Sequence, residues 1–203
     1  MKWFLSLPIA ACALAACSTA PADEAPLEGN WALDGAESQI NFVTVKGGAV
    51  AEVHSFAGLE GSVTADGAAE VDIDLASVET NVDVRNERMK EFLFETGVFP
   101  RAIITAQFDP AEMGALVSGE TKVVSTNLGL NLHGNEGEVP AVLLVTRIAP
   151  GKVRVVTASP IIIEAASFGL DTGVEKLREL VNLDSITGAV PVTASLTFTQ
   201  ATE

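Results

Sequence analysis

The chain is poor in the residues from which most catalytic and cross-linked sites are built. Its 203 residues include two cysteines, two histidines and no tyrosine, and only 5% are aromatic. Cys12 falls inside an apolar N-terminal run and Cys17 directly behind it. A domain beginning later therefore has no thiol for a disulfide, a zinc site or a nucleophile. His54 and His133 do not form a His-Glu-x-x-His pattern, and there is no Gly-x-Ser-x-Gly elbow or phosphate-binding glycine loop. Positive charge is also scarce: 12 Lys and Arg stand against 27 Asp and Glu, a net charge of −15. Such a surface repels phosphate backbones, which speaks against a nucleic-acid partner. Together these absences predict a non-catalytic protein with no metal and no cofactor.

What is present begins at the N-terminus. Met1-Lys2 is a positive start, and residues 3–14 form an apolar run. That run is shorter than the roughly 20 residues needed to cross a bilayer. Leu14-Ala15-Ala16 then leads to Cys17. This is the layout of a signal peptide, and its ending resembles a bacterial lipobox. The expectation is removal of residues 1–16 and acylation of Cys17, with an ordinary signal cut near Ala20 or Ala22 as the alternative. Residues 17–30 read as the lipidated cysteine and a flexible tether, rich in Ala, Pro, Asp and Glu, that would hold a domain roughly 20 Å from its anchor. Ser18, where an Asp is the usual inner-membrane retention signal, directs the expectation to the outer membrane, facing the periplasm.

From Trp31 to Gln200 the dominant period is two. Val71, Ile73 and Leu75 alternate with Asp72 and Asp74. Leu128, Leu130 and Leu132 alternate with polar residues, as do Val190, Val192, Ala194, Leu196 and Phe198. Each pattern predicts a strand with one buried and one wet face, and puts Asp72 and Asp74 in water rather than around a metal. Asp66-Gly67, Pro150-Gly151 and a longer turn at Asn135-Glu136-Gly137 separate the runs. Two segments carry helical spacing: 85–95, through Met89, Phe92 and Leu93, and 172–181, through Val174, Leu177 and Leu180. Thr172 and Glu175 have the spacing of a capping box. The fold predicted is all-β, an antiparallel eight-stranded barrel with two short helices; a two-sheet sandwich would show the same periodicity.

A barrel of that size can hold one small ligand. The lumen-facing candidates are Phe42, Phe56, Ile73, Phe92, Ile104 and Leu196, and small residues such as Ala106 and Ala194 leave volume there. Arg85 and Arg88, at the start of the first helix, are candidates for contact with an anionic head group, or for surface ion pairs. His54 reads as a polar-face or lumen-lining side chain.

The order of motifs resembles the YceI-like family. Trp31-Ala32-Leu33-Asp34 and Ser38-Gln39-Ile40-Asn41-Phe42 are similar to its opening hairpin. His54-Ser55-Phe56-Ala57-Gly58 is similar to its next segment, and Ser77-Val78-Glu79-Thr80 with Arg85 to its stretch before the helix. Phe92-Leu93-Phe94, Phe99-Pro100, Leu130-Asn131-Leu132-His133-Gly134 and Ser167-Phe168-Gly169-Leu170 continue the match. Asn86, Arg88 and Asn131 depart from the family's pattern. The resemblance implies a lipocalin-like barrel that binds a polyisoprenoid or related long-chain lipid, for storage or transport. A stress-related or interaction adaptor with a filled core is the other expectation.

Overall fold

A computed structural model describes residues 25–201. The expected signal peptide and Cys17 lie outside the described residues. The chain runs through β1 (Trp31–Leu33), β2 (Gln39–Lys46), β3 (Val50–Phe56), β4 (Leu59–Val63), β5 (Ala68–Asp74) and β6 (Val78–Glu79). It continues through α1 (Asp83–Arg88), β7 (Arg101–Gln107), α2 (Pro110–Gly114), β8 (Thr121–Leu132) and β9 (Asn135–Ala149). Last come β10 (Lys152–Thr157), β11 (Ile161–Glu164), α3 (Asp171–Leu180) and β12 (Ala189–Gln200). Every pairing is antiparallel.

The twelve segments make eight strands, because four strands are broken. β1 and β2 together pair with β12 on one side and with β4 and β3 on the other. β5 and β6 similarly face β4 and β3, and β10 and β11 both face β12. The order is an up-and-down meander, and the first strand closes on the last, so the sheet is a barrel rather than a sandwich. Closure removes the exposed edges on which other strands could pair.

The break between β1 and β2 is built by the opening motif. Asp34 leaves the sheet and accepts hydrogen bonds from the N–H groups of Ala36 (3.1 Å) and Glu37 (3.2 Å), which start a single 3-10 turn. The Thr197 N–H donates to Ser38 Oγ (2.9 Å) and its hydroxyl donates to the Glu37 carbonyl (3.2 Å), so β12 stays joined across the gap.

One turn is shifted from its expected place. The Asp66-Gly67 hairpin turn forms where expected, with three residues in its loop. Thr64 and Ala68 close it, with Gly67 at φ +85° donating to the Thr64 carbonyl (2.9 Å), the form in which a turn is followed by one left-handed residue. A Cβ on Gly67 would lie 2.1 Å from the Phe108 carbonyl oxygen, so glycine is required by both conformation and space. The turn expected at 135–137 sits two residues earlier: His133 (φ +53°) and Gly134 (φ +73°) form it, and Asn135 already pairs with Leu132. The imidazole of His133 lies 4.4 Å from the Phe99 ring centroid, and its Nε2 is 2.9 Å from Glu95 Oε2, contacts that hold an otherwise unfavourable residue in place.

Among the described residues, three α-helices flank the barrel. α2, which was not among the expected helices, is short and is capped by Asp109, whose carboxylate accepts from the Ala111 N–H (2.9 Å), with Pro110 in its first turn. With Leu27, Trp31 and buried Leu116 it covers one end. Leu27 is buried and donates its N–H to the Gly114 carbonyl (3.4 Å), and Asn30 bonds Ala65 and Ala201. The tether expected to run to residue 30 is therefore docked from Leu27 onward, because one apolar side chain finds a pocket under α2. The capping box does not form: Leu170 occupies the cap of α3, with no side-chain hydrogen bond.

Candidate functional site

The lumen holds two apolar compartments. The larger has a volume of about 550 Å³, within the roughly 300–1,000 Å³ of small-molecule sites. The smaller, toward α2 and Trp31, has about 180 Å³. Ile40, Ile104, Leu128, Ile161 and Val192 line both and so form a waist between them. The waist draws on five strands, which is why no single run of sequence displayed it. The core is thus not filled, as the adaptor expectation required.

Inward residues of β2 and β3 define the depth of the larger compartment. Their register pairs Lys46 with Val50 at the tip, then Thr44 with Glu52, Phe42 with His54, and Ile40 with Phe56. Each step of two residues descends about 6–7 Å along the strand. Lys46 and Glu52 therefore stand at the mouth, His54 and Phe42 one level down, and Ile40 at the waist. Phe42 stacks on Phe56 (centroids 5.2 Å), Phe56 meets Phe94 (5.8 Å), and Phe42 meets the His54 ring (5.2 Å). One wall is thus a continuous aromatic row.

The lid departs most from the sequence reading. α1 passes directly into one π-helical stretch, Met89–Leu93, in which the Phe94 N–H donates to the Met89 carbonyl (2.9 Å). This i-to-i+5 bond adds a residue to the turn. Phe94 consequently comes over Met89, and Met89, Leu93 and Phe94 all line the cavity. Phe92, expected inside, lines neither compartment, because a 3.6-residue period misplaces it after the π turn. Phe42, Phe56, Ile73 and Ile104 line the larger compartment as expected, while Leu196 lines the smaller one. Val174 and Leu177 of α3 add to the lid. Leu180, grouped with them by helical spacing, is exposed.

Four charged residues line the larger compartment: Lys46, Glu52, Arg85 and Arg88, a net +2 on a chain of net −15. Glu52 accepts from Lys46 Nζ (2.6 Å) and Arg85 Nη1 (2.9 Å). The hydrogen bond from Lys46 holds the Glu52 carboxyl below its usual range, and Arg85 adds to this. Arg85 Nη2 donates to the Thr80 carbonyl (2.6 Å). Thr80 and Asn86, both buried, tie α1 to β6 through the Asn86 Oδ1, which accepts from the Thr80 N–H (2.9 Å) and hydroxyl (2.6 Å). Arg88 makes no ion pair among the described residues. Asp72 and Asp74 point away from the lumen as expected, and Asp72 lies 3.3 Å from Arg101.

His54 is 3% exposed, and its Nε2 lies 2.9 Å from the Thr44 hydroxyl. Burial pushes its pKa below the usual histidine range, and the nearby Arg85 adds to that, so the ring is neutral at pH 7. No group of three or more potential metal ligands exists among the described residues, and no described helix is long and apolar enough to cross a membrane.

The sequence model of the YceI-like domain matches residues 31–198. No curated protein matches the sequence. Among solved structures, a polyisoprenoid binding domain from Saccharophagus degradans, described as implicated in plant cell wall breakdown, superposes with a TM-score of 0.83 at 38% identity. That match covers 84% of this chain and 98% of the other. BcnA of Burkholderia cenocepacia shares the fold at 19% identity and a TM-score of 0.63, covering 84% of this chain and 99% of its own. A YCEI protein of Campylobacter jejuni does so at 12% identity and 0.54, covering 73% and 85%.

Proposed function

Since the chain belongs to the YceI-like family, we propose that it binds a long-chain isoprenoid-like lipid in the barrel lumen, without catalysis, to store or carry it. The observation that carries this reading is the larger compartment, about 550 Å³ of space walled by aliphatic and aromatic side chains and charged only at its mouth. Each methylene moved from water into such a wall gains roughly 0.8 kcal/mol, so a long tail binds by area. The related Saccharophagus degradans domain is described as polyisoprenoid binding, which supports the ligand class. The tail lies against Phe42, Phe56, Ile73 and Ile104 and reaches Leu196 beyond the waist. The head stays near Arg85 and Arg88.

Solvent extraction of the purified protein followed by mass spectrometry tests this. The expected result is a stoichiometric long-chain amphiphile. Protein that yields none, and that takes up no isoprenoid probe when offered one, would refute it. We also propose that the protein is an outer-membrane lipoprotein of the cell envelope, held by acylated Cys17. The Leu-Ala-Ala-Cys sequence supports the anchor and Ser18 the outer membrane, and two acyl chains suffice for stable attachment. Cys17→Ala should leave the protein in the soluble fraction after a salt wash; equal membrane retention would contradict the anchor.

A further inference from the structure

Among the described residues, two buried nitrogens on side chains that line the larger compartment have no hydrogen-bond partner: His54 Nδ1 and Arg85 Nε. Both belong to side chains that are otherwise fixed. Thr44 holds His54 at Nε2, and Glu52 and the Thr80 carbonyl hold the two terminal nitrogens of Arg85. The remaining wall is mostly apolar, and no described group reaches either nitrogen. An unsatisfied buried polar atom costs on the order of 1–3 kcal/mol, and a fold that keeps two of them in the lining of one cavity gains by receiving a partner there. Arg85 Nε can only donate. When the Thr44 hydroxyl donates to His54 Nε2, Nδ1 carries the proton and donates as well. With His54 in that tautomer, two donors in one cavity call for an acceptor oxygen.

We propose that His54, about one strand step below the mouth, and Arg85, beside Glu52 at the mouth, form a polar recognition point for a lipid whose head carries a carbonyl or phosphoryl oxygen. This rests on the lipid-binding reading and sharpens it. The cavity prefers a polar-headed lipid to plain hydrocarbon, and the head of the ligand enters between Arg85 and His54 instead of remaining in water. The +2 balance of the lining suits a partly negative oxygen, and Arg88 stands free at the entrance to meet additional charge.

The test compares an isoprenoid ketone with a hydrocarbon of the same tail, by displacement of a fluorescent fatty probe, on the wild type, His54→Phe and His54→Gln. In the wild type the ketone should bind about tenfold more tightly than the hydrocarbon, the scale of one or two buried hydrogen bonds. His54→Phe should bring the ratio below threefold while hydrocarbon affinity is retained, and His54→Gln should keep part of the preference. Equal affinities in the wild type, or a ratio untouched by His54→Phe, overturn the proposal and leave lipid binding standing. A wild type that binds neither probe overturns both. Retained hydrocarbon binding also shows that the variant is folded, so a misfolded protein cannot imitate the expected result.

Discussion

At the scale of single residues, His54 links the cavity to solution pH. Its folded-state pKa is depressed, chiefly by burial. As pH falls through the ordinary histidine value of about 6.5, the unfolded chain takes up a proton that the native chain refuses. The stability His54 contributes is therefore present above that value and is lost as pH falls toward the lower folded pKa. Glu52, also depressed, acts in a separate window below its ordinary 4.5. We expect the urea midpoint of the wild type to fall between pH 7.5 and 5.5 and that of His54→Phe to fall less. Parallel pH profiles would show that His54 does not titrate in this way. The sequence placed His54 on a strand facing inward or on a polar face, but not its role. A lone histidine shows neither its depth nor its neighbours, and both come from the register of β2 and β3 and from α1, which begins 29 residues later.

At the scale of elements, strands were more legible than helices. Alternation is a local pattern: Val71 and Ile73 are buried while Asp74 is exposed, as their order predicts. The π turn has no comparable signature, and one extra residue there exchanged Phe92 for Phe94 in the cavity wall. Nor did the sequence show what Gly173 does inside α3. A Cβ at that position would lie 2.6 Å from the Phe92 carbonyl oxygen and 2.8 Å from Leu93 Cα. α3 thus packs directly on the backbone of the π turn, and the two together form the lid. Alanine inside a helix usually gains about 0.5–1 kcal/mol over glycine. Here the steric conflict outweighs that gain, and Gly173→Ala should destabilise the protein by about 1–3 kcal/mol. Hydrogen exchange should quicken in 83–94 and 171–180 but not in β8 or β9. A variant more stable than the wild type would show that the lid yields at no cost.

At the scale of the whole molecule, an antiparallel all-β fold was readable because alternating runs joined by short turns favour neighbouring strands. The choice of a barrel over a sandwich rested on the order of motifs and on the protection that closure gives the edges. The two compartments were not readable, since a waist made by five strands appears only once the sheet closes. One sequence feature did bear on it: Ala106 and Ala194 are small, and both line the lower compartment. Ala194 also pairs with Ile40 of the waist. Filling this position separates a lumen used for tails from one that merely packs imperfectly. An indole at 194 displaces whatever lies below the waist, in a space of about 180 Å³. Each methylene it excludes forfeits about 0.8 kcal/mol, so two already weaken binding roughly tenfold. Ala194→Trp should therefore weaken a twenty-carbon isoprenoid probe at least about tenfold, change a ten-carbon probe less than about twofold, and leave the melting temperature of the unliganded protein within a few degrees. Overpacking of a filled core would instead cost about 1–3 kcal/mol and weaken both probes alike. That outcome would confine the ligand to the upper compartment and make the lower one a packing defect.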